Sequence, residues 1–397
     1  MATPPLHAQA LPPSATPVST PPAAPGQVGT VQVVPTPPGL PSRAVFDRRY
    51  DSPPVDYPAA GSLRWRMGVG VPSVGPQPFL WPEARPGWYL SWSINMVEGY
   101  EPLADPAAID MAAPEFDGYG MEFVPLVKML DGRLYYGPDT LTPLAAGNPG
   151  RTWIIGNEPD VTWQDNTRAE AYARAYHDAY VAIKAGDPTA QVAIAGLSQV
   201  TPLRLAYLDR IWAAYQDFYG EPMPVDVWTM HAYVLREEAD AWGVAIPPGF
   251  EAVEHGILWD VADHDDLRLV ENQIRLMRSW MARHGQQAKP LWITEYGVLM
   301  SAELGFPVER VQRFMIGSFE LFRALRHPDL GDPADDGRLV QRWNWFRTYF
   351  EPLPTSDLFD AQGLPTPLLD LYGLYLLETD ELLETDELLE TGEMDDP

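Results

Sequence analysis

Eight short apolar runs, rich in Val, Ile, Leu and aromatic residues, recur between Trp65 and Trp345 with other kinds of segment between them. They cover Trp65 to Val71, Gly87 to Trp92, Glu122 to Val127, Thr152 to Gly156, Gln191 to Ala195, Val225 to Met230, Pro290 to Thr294 and Leu339 to Trp345. Continuous rather than alternating hydrophobicity marks strands covered on both faces, as in a parallel sheet wrapped by helices. The later intervening segments carry helical signals. Thr167 with Glu170 matches a capping box ahead of a stripe of Tyr172, Tyr176, Tyr180 and Ile183, which Gly186 and Pro188 terminate. Leu267, Val270, Ile274, Met277 and Met281 share one helical face before Gly285, and Pro307 opens a stretch with Val308, Val311, Met315 and Phe322 on one side. The stretches after the second and third strands are short and rich in Pro and Gly, which predicts stunted helices or loops there. Eight such units predict an α/β chain folded as a (β/α)8 TIM barrel.

The barrel is expected over residues 59–375. Residues 1–58 are rich in Pro, Ala, Thr and Ser and bury too little to offset the entropy of ordering, so a disordered arm or linker is expected there. Ala8-Gln9-Ala10 has the small-residue spacing of a signal-peptidase site without an apolar core before it. It is either chance in an Ala-rich stretch or the remnant of a secretion signal on an extracellular or cell-surface protein. Residues 376–397 repeat Leu-Leu-Glu-Thr-Asp-Glu, a period matching neither helix nor coiled coil, and predict an acidic, solvated low-complexity tail.

A net charge of −28 opposes binding to nucleic acid or anionic membranes, because phosphate would be repelled. Neutral polymers stay open as partners. The absence of Cys excludes a disulfide scaffold, a thiolate nucleophile and a Cys-ligated zinc. No apolar run approaches the ~18 residues needed for membrane insertion. No phosphate-cradling Gly loop, Gly-x-Ser-x-Gly elbow or His-Glu-x-x-His pair is present, and no cofactor is implied. The chain is expected to act as a monomer.

Two of the runs end in glutamate followed by turn residues: Trp153-Ile154-Ile155-Gly156-Asn157-Glu158-Pro159 and Leu291-Trp292-Ile293-Thr294-Glu295-Tyr296-Gly297. In a (β/α)8 barrel the strand C-termini share one face, so Glu158 and Glu295 are brought to a common mouth. Paired carboxylates facing a cleft are the apparatus of glycosidic bond cleavage. Glu158 has the place of an acid/base whose proton a neighbouring carboxylate helps retain, and Glu295 that of a nucleophile. Asn157 is positioned to donate to a sugar 2-hydroxyl. His231 and Tyr233, two apart at the end of strand six, share a face and could hydrogen-bond a carboxylate or a sugar. Among 14 Trp, Trp345 is expected to floor the sugar subsite and Trp92 is the second choice, with Tyr296 as a further contact. Glu254, His255, Asp260, Asp263, His264, Asp265 and Asp266 form a His and carboxylate loop, but acids before the Leu267 helix are explained by capping, so no metal site is expected.

These strings resemble clan A glycoside hydrolases. Gly156-Asn157-Glu158-Pro159-Asp160, Phe123-Val124-Pro125-Leu126, Trp292-Ile293-Thr294-Glu295-Tyr296-Gly297 and Arg342-Trp343-Asn344-Trp345-Phe346 are most similar to glycoside hydrolase family 128, a group of endo-β-1,3-glucanases. The resemblance implies a retaining two-glutamate mechanism on β-1,3-glucan, with Glu158 as acid/base, Glu295 as nucleophile, and Asn157, His231, Tyr233 and Trp345 around the cleaved sugar. Alternatives are a non-catalytic carbohydrate-binding barrel, or a hydrolase of mannan, xylan or galactan.

Overall fold

A computed structural model describes residues 57–71, 85–94, 120–350 and 354–377. The N-terminal arm up to residue 56 and the acidic repeats from residue 378 lie outside the described residues. Eight strands form one parallel sheet: β1 (Met67–Gly70), β2 (Trp88–Ser91), β3 (Glu122–Val127), β4 (Thr152–Ile155), β5 (Gln191–Ile194), β6 (Trp228–His231), β7 (Leu291–Tyr296) and β8 (Arg342–Trp345). Their order is β5-β4-β3-β2-β1-β8-β7-β6, and a parallel bridge from Ala193 to Val227 joins the two ends into a barrel. All eight expected strands are present, each shifted by at most a few residues.

The shifts have local causes. Trp65 and Arg66 belong to a helical turn, Leu63–Arg66, because Ser62 accepts a hydrogen bond from the Trp65 amide, so β1 starts at Met67. The expected capping box at Thr167 and Glu170 is not made: the Thr167 hydroxyl donates to the Asp165 carbonyl and accepts from the Gly132 amide, tying down the preceding loop instead. The helix there runs Ala169–Gly186 with Arg168 at its N-cap. The third crossover contains a ten-residue helix, Pro138–Gly147, with Pro143 inside it. After β5 a helix at Pro202–Tyr219 starts on a Thr201 cap and ends at left-handed Gly220. Helices Leu267–Arg283 and Val308–Ala324 follow β6 and β7 as expected. After β8, residues 367–377 are helical, and Leu376 is buried in the packed body rather than starting a solvated tail.

The barrel interior is built around indole rings. Trp88, Leu90, Trp92, Val124, Leu126, Ile154, Ala193, Val227 and Trp292 fill it. Room is made by β1: a Cβ on Gly68 would stand 2.3 Å from the Trp88 ring, and one on Gly70 2.7 Å from the Trp92 ring. At the base the Arg342 guanidinium sits over the rings of Trp65, Trp88 and Trp292 at 4.7, 4.8 and 4.6 Å and pairs with Glu122 at 2.7 Å. These contacts compensate its removal from water. A second, larger apolar layer lies between strands and helices.

Candidate active site

At the end of β4 the chain makes a tight turn. Gly156 adopts φ +89° and Glu158 φ +45°, a left-handed conformation that costs a side-chain-bearing residue about 1–2 kcal/mol. The turn is held from both sides. The Asn157 amide donates to the buried Asp165 carboxylate at 2.6 Å, and the Glu158 amide donates to the Gly196 carbonyl at 3.2 Å. Strain of this kind concentrates where a side chain must be aimed.

On β7 the aiming device is a bulge. Met230 pairs with Ile293 but His231 with Glu295, and Trp343 pairs with Ile293 but Trp345 with Tyr296. Both neighbouring strands therefore skip a residue at Thr294-Glu295. The extra residue reverses the pleat, so Trp292 and Glu295 both reach the interior while Ile293 and Tyr296 pack outward.

Glu158, His231 and Glu295 consequently meet, with one side-chain donor atom of each within 4.8 Å of the others. His231 bridges the carboxylates: Nδ1 lies 2.9 Å from Glu158 Oε1 and Nε2 lies 3.6 Å from Glu295 Oε1. Its ring packs on bare backbone, since a Cβ on Gly196 would come within 2.4 Å of it. Glu295 also accepts from Trp92 Nε1 at 2.7 Å and from the Tyr233 hydroxyl at 3.3 Å. Among the described residues this is the only group of three His and acid side chains whose donor atoms converge enough to hold a metal.

The two carboxyls are set differently. Burial, and then the like charge of Asp160, push Glu158 up to about 8, against smaller opposing effects of Arg204 and Lys128. Burial also raises Glu295, but nearby His231 and the hydrogen bonds from Trp92 and Tyr233 favour its charged form. Desolvation is the leading cause of the Glu158 shift, with Asp160 next, and the expected repulsion between the two glutamates acts to raise Glu295. Burial lowers His231, favouring the neutral imidazole.

Around this centre the expected residues divide. Trp92, His231 and Tyr233 touch the carboxylates. Asn157 is buried beside Glu158, donates to Gln164 Oε1 at 3.3 Å and leaves Oδ1 without a hydrogen-bond partner. Trp345 and Tyr296 lie elsewhere, both wholly buried in the layer between barrel and helices. Their rings meet edge-on at 5.3 Å, Tyr296 also packs on Phe322, Trp345 packs on Phe314, and the indole N–H is satisfied by the Ser356 carbonyl. Strand parity explains the correction: Arg342 and Asn344 face inward, so Trp343 and Trp345 must face out. The aromatic ring that does stand at the mouth is Phe346, edge-on to Trp92 at 5.4 Å and to Tyr233 at 5.9 Å. Its parity with Arg342 and Asn344 was the available signal. Phe346→Ala is therefore expected to raise KM on a saccharide substrate about tenfold, whereas Trp345→Phe should leave KM unchanged and only lower the melting temperature. Michaelis constants measured on both variants decide this; a reversed pattern would return the subsite floor to Trp345.

From Asp260 to Asp266 the His and carboxylate loop is employed in structure. Asp266 caps its helix, Asp260 and Asp263 form a capping box, Asp265 pairs with Arg310, and His264 links the Val234 carbonyl to the Leu299 amide.

No known protein-family profile matches the sequence, and no curated protein matches it either. Solved structures do share the fold. A GH128 subgroup II endo-β-1,3-glucanase from Pseudomonas viridiflava aligns with TM-score 0.50 and 20% identity over 78% of this chain and 96% of its own. A subgroup I endo-β-1,3-glucanase from Amycolatopsis mediterranei, solved with laminaritriose, aligns at 0.48 and 16% over 78% and 98%. A subgroup III curdlan-specific exo-β-1,3-glucanase from Blastomyces gilchristii, solved with glucose, aligns at 0.47 and 17% over 78% and 98%.

Proposed function

We propose that this chain is a retaining glycoside hydrolase, its mouth built for double displacement at an anomeric carbon. More narrowly, it is a β-1,3-glucanase of the family 128 type. The observation that carries the first statement is the pair of glutamates at the ends of β4 and β7, with oxygens within 4.8 Å of each other. Oxygens that close suit the ~5–5.5 Å carboxyl separation of retaining enzymes better than the roughly 6.5–9.5 Å of an inverting pair with a water between them. The narrower statement rests on the motif resemblance and the shared fold.

In this reading Glu295 attacks the anomeric carbon as a carboxylate while Glu158 gives its proton to the departing oxygen. A glycosyl ester on Glu295 results. Glu158, now ionised, takes a proton from water, which displaces the ester and restores both groups. Trp92 and Tyr233 hold Glu295 in place for attack. His231 orients Glu158 from the other side.

The electrostatics predict a bell-shaped pH profile for kcat/KM. Glu158 must be protonated, so activity should fall as pH rises through about 8, and Glu295 must be ionised, so it should fall on the acid side at a pH above the ordinary carboxylate range. With an activated aryl glycoside that needs no protonated leaving group, Glu158→Ala should lose the alkaline limb and keep the acid one. Hydrolysis of β-1,3-glucan followed by NMR of the first-formed anomer tests the whole reading. Initial release of the α-anomer, or no release from β-1,3-glucan, mannan, xylan or galactan, would refute it.

A further inference from the structure

The opposite face of the barrel carries a second cavity, of about 510 Å³, among residues that precede or begin β1 to β4: Tyr57, Trp65, Glu122, Asn148 and Arg151, with Gly147 and Gly150 in its wall. Glu158 and Glu295 sit at the strand C-termini, so the barrel core separates the two sites. The cavity combines an apolar ring with hydrogen-bonding groups of both kinds. Trp65 is held by the Arg342 guanidinium at 4.7 Å, and the same guanidinium binds Glu122 Oε2 at 2.7 Å. Arg342 is itself only 1% exposed, so ring and carboxylate are fixed to one rigid post. Among the described residues neither the Trp65 indole N–H nor Glu122 Oε1 makes a hydrogen bond. Asn148 keeps one amide proton bonded to the Leu144 carbonyl and accepts from Arg151 Nε at 3.4 Å. A Cβ built on Gly147 or Gly150 meets nothing within 4 Å, so missing side chains keep the space open.

We propose that this cavity is a second saccharide-binding site, taking one pyranose ring of a neutral polysaccharide on the face away from the catalytic pair. A ring flanked by a donor and an acceptor suits a sugar, whose C–H face is apolar and whose hydroxyls both donate and accept. A carboxylate beside guanidinium groups leaves the site without a strong preference for an ion. The sugar chemistry stands on these residues; the choice of β-1,3-glucan as polymer rests on the function proposed above.

Gly147→Phe would fill the cavity from a position with open space, and Tyr57→Ala would strip a 59% exposed ring from its rim. Both are compared with the parent in native gels containing soluble β-1,3-glucan, mannan, xylan or galactan, all in a Glu295→Gln background. Each variant is expected to bind one polysaccharide about tenfold more weakly, equivalent to about 1.4 kcal/mol. With Glu295 restored, hydrolysis of a short soluble oligosaccharide should not change. The proposal is overturned if both variants migrate like the parent in every gel, or if oligosaccharide hydrolysis falls in step with binding. Reducing-sugar release by the wild-type chain reads the catalytic proposal separately, so a chain that binds through the cavity but cuts nothing would sink that proposal alone.

Discussion

Glu295→Gln is expected to lower kcat on any glycoside substrate by at least about 10,000-fold, the scale seen when a covalent nucleophile is removed. The amide cannot form the ester intermediate, and the change preserves size, so the fold should stand. Glu158→Ala should behave differently. Losing general acid catalysis costs roughly 100- to 10,000-fold when the leaving group is a sugar alkoxide, but little when it is an acidic phenol. The two variants thus separate the roles by leaving-group dependence. Equal losses on natural and activated substrates for Glu158→Ala would show that Glu158 is not the acid. The structure adds a reason for the asymmetry: two donors point at Glu295, while burial and Asp160 act on Glu158.

Much of this arrangement was legible in the chain. Buried parallel strands announce themselves as unbroken apolar runs, so all eight were found, and a glutamate ending such a run has nowhere to go but the mouth. What failed was the phase. Trp345 falls outside the barrel by the alternation that Arg342 and Asn344 set, and Tyr296 by a bulge at Thr294-Glu295 that changes the alternation on β7 without any glycine or proline inside the strand to mark it. The helix at Pro202–Tyr219 is legible too: a Thr201 cap, Pro202 at its start and Leu205, Leu208, Ile211 and Ala214 on one buried face are all in the sequence. Capping at Thr167 and Glu170 was a correct local pattern overridden by a tertiary partner, Gly132, thirty-five residues away. Contacts of that range leave no spacing to read.

The least legible feature carries the largest stability prediction. Arg204, wholly buried, lies between two buried acids: its Nε is 3.3 Å from Asp160 Oδ2 and 3.2 Å from Glu237 Oε1. Those contacts hold by charge rather than aligned hydrogen bonds, while the terminal nitrogens donate to the carbonyls of Asp160 and Ala245. Asp160 accepts from the Ser198 hydroxyl, and Glu237 from Thr201 and from the Ile257 amide. Arg204 therefore clamps the loops that follow β4, β5 and β6, which carry Glu158 and Gly196 and lead away from His231 at the end of β6. Arg204→Met keeps much of the volume but leaves two carboxylates buried without a counter-charge, which should cost about 3–5 kcal/mol and on the order of 10 °C in Tm. Adding Glu237→Gln to Arg204→Met removes one orphaned charge and should recover part of the loss. Thermal unfolding of the three proteins at pH 8 measures this. A single variant as stable as the wild type at pH 8 would mean that the clamp contributes nothing, and that the turn at Glu158 is held by Asp165 and Gly196 alone.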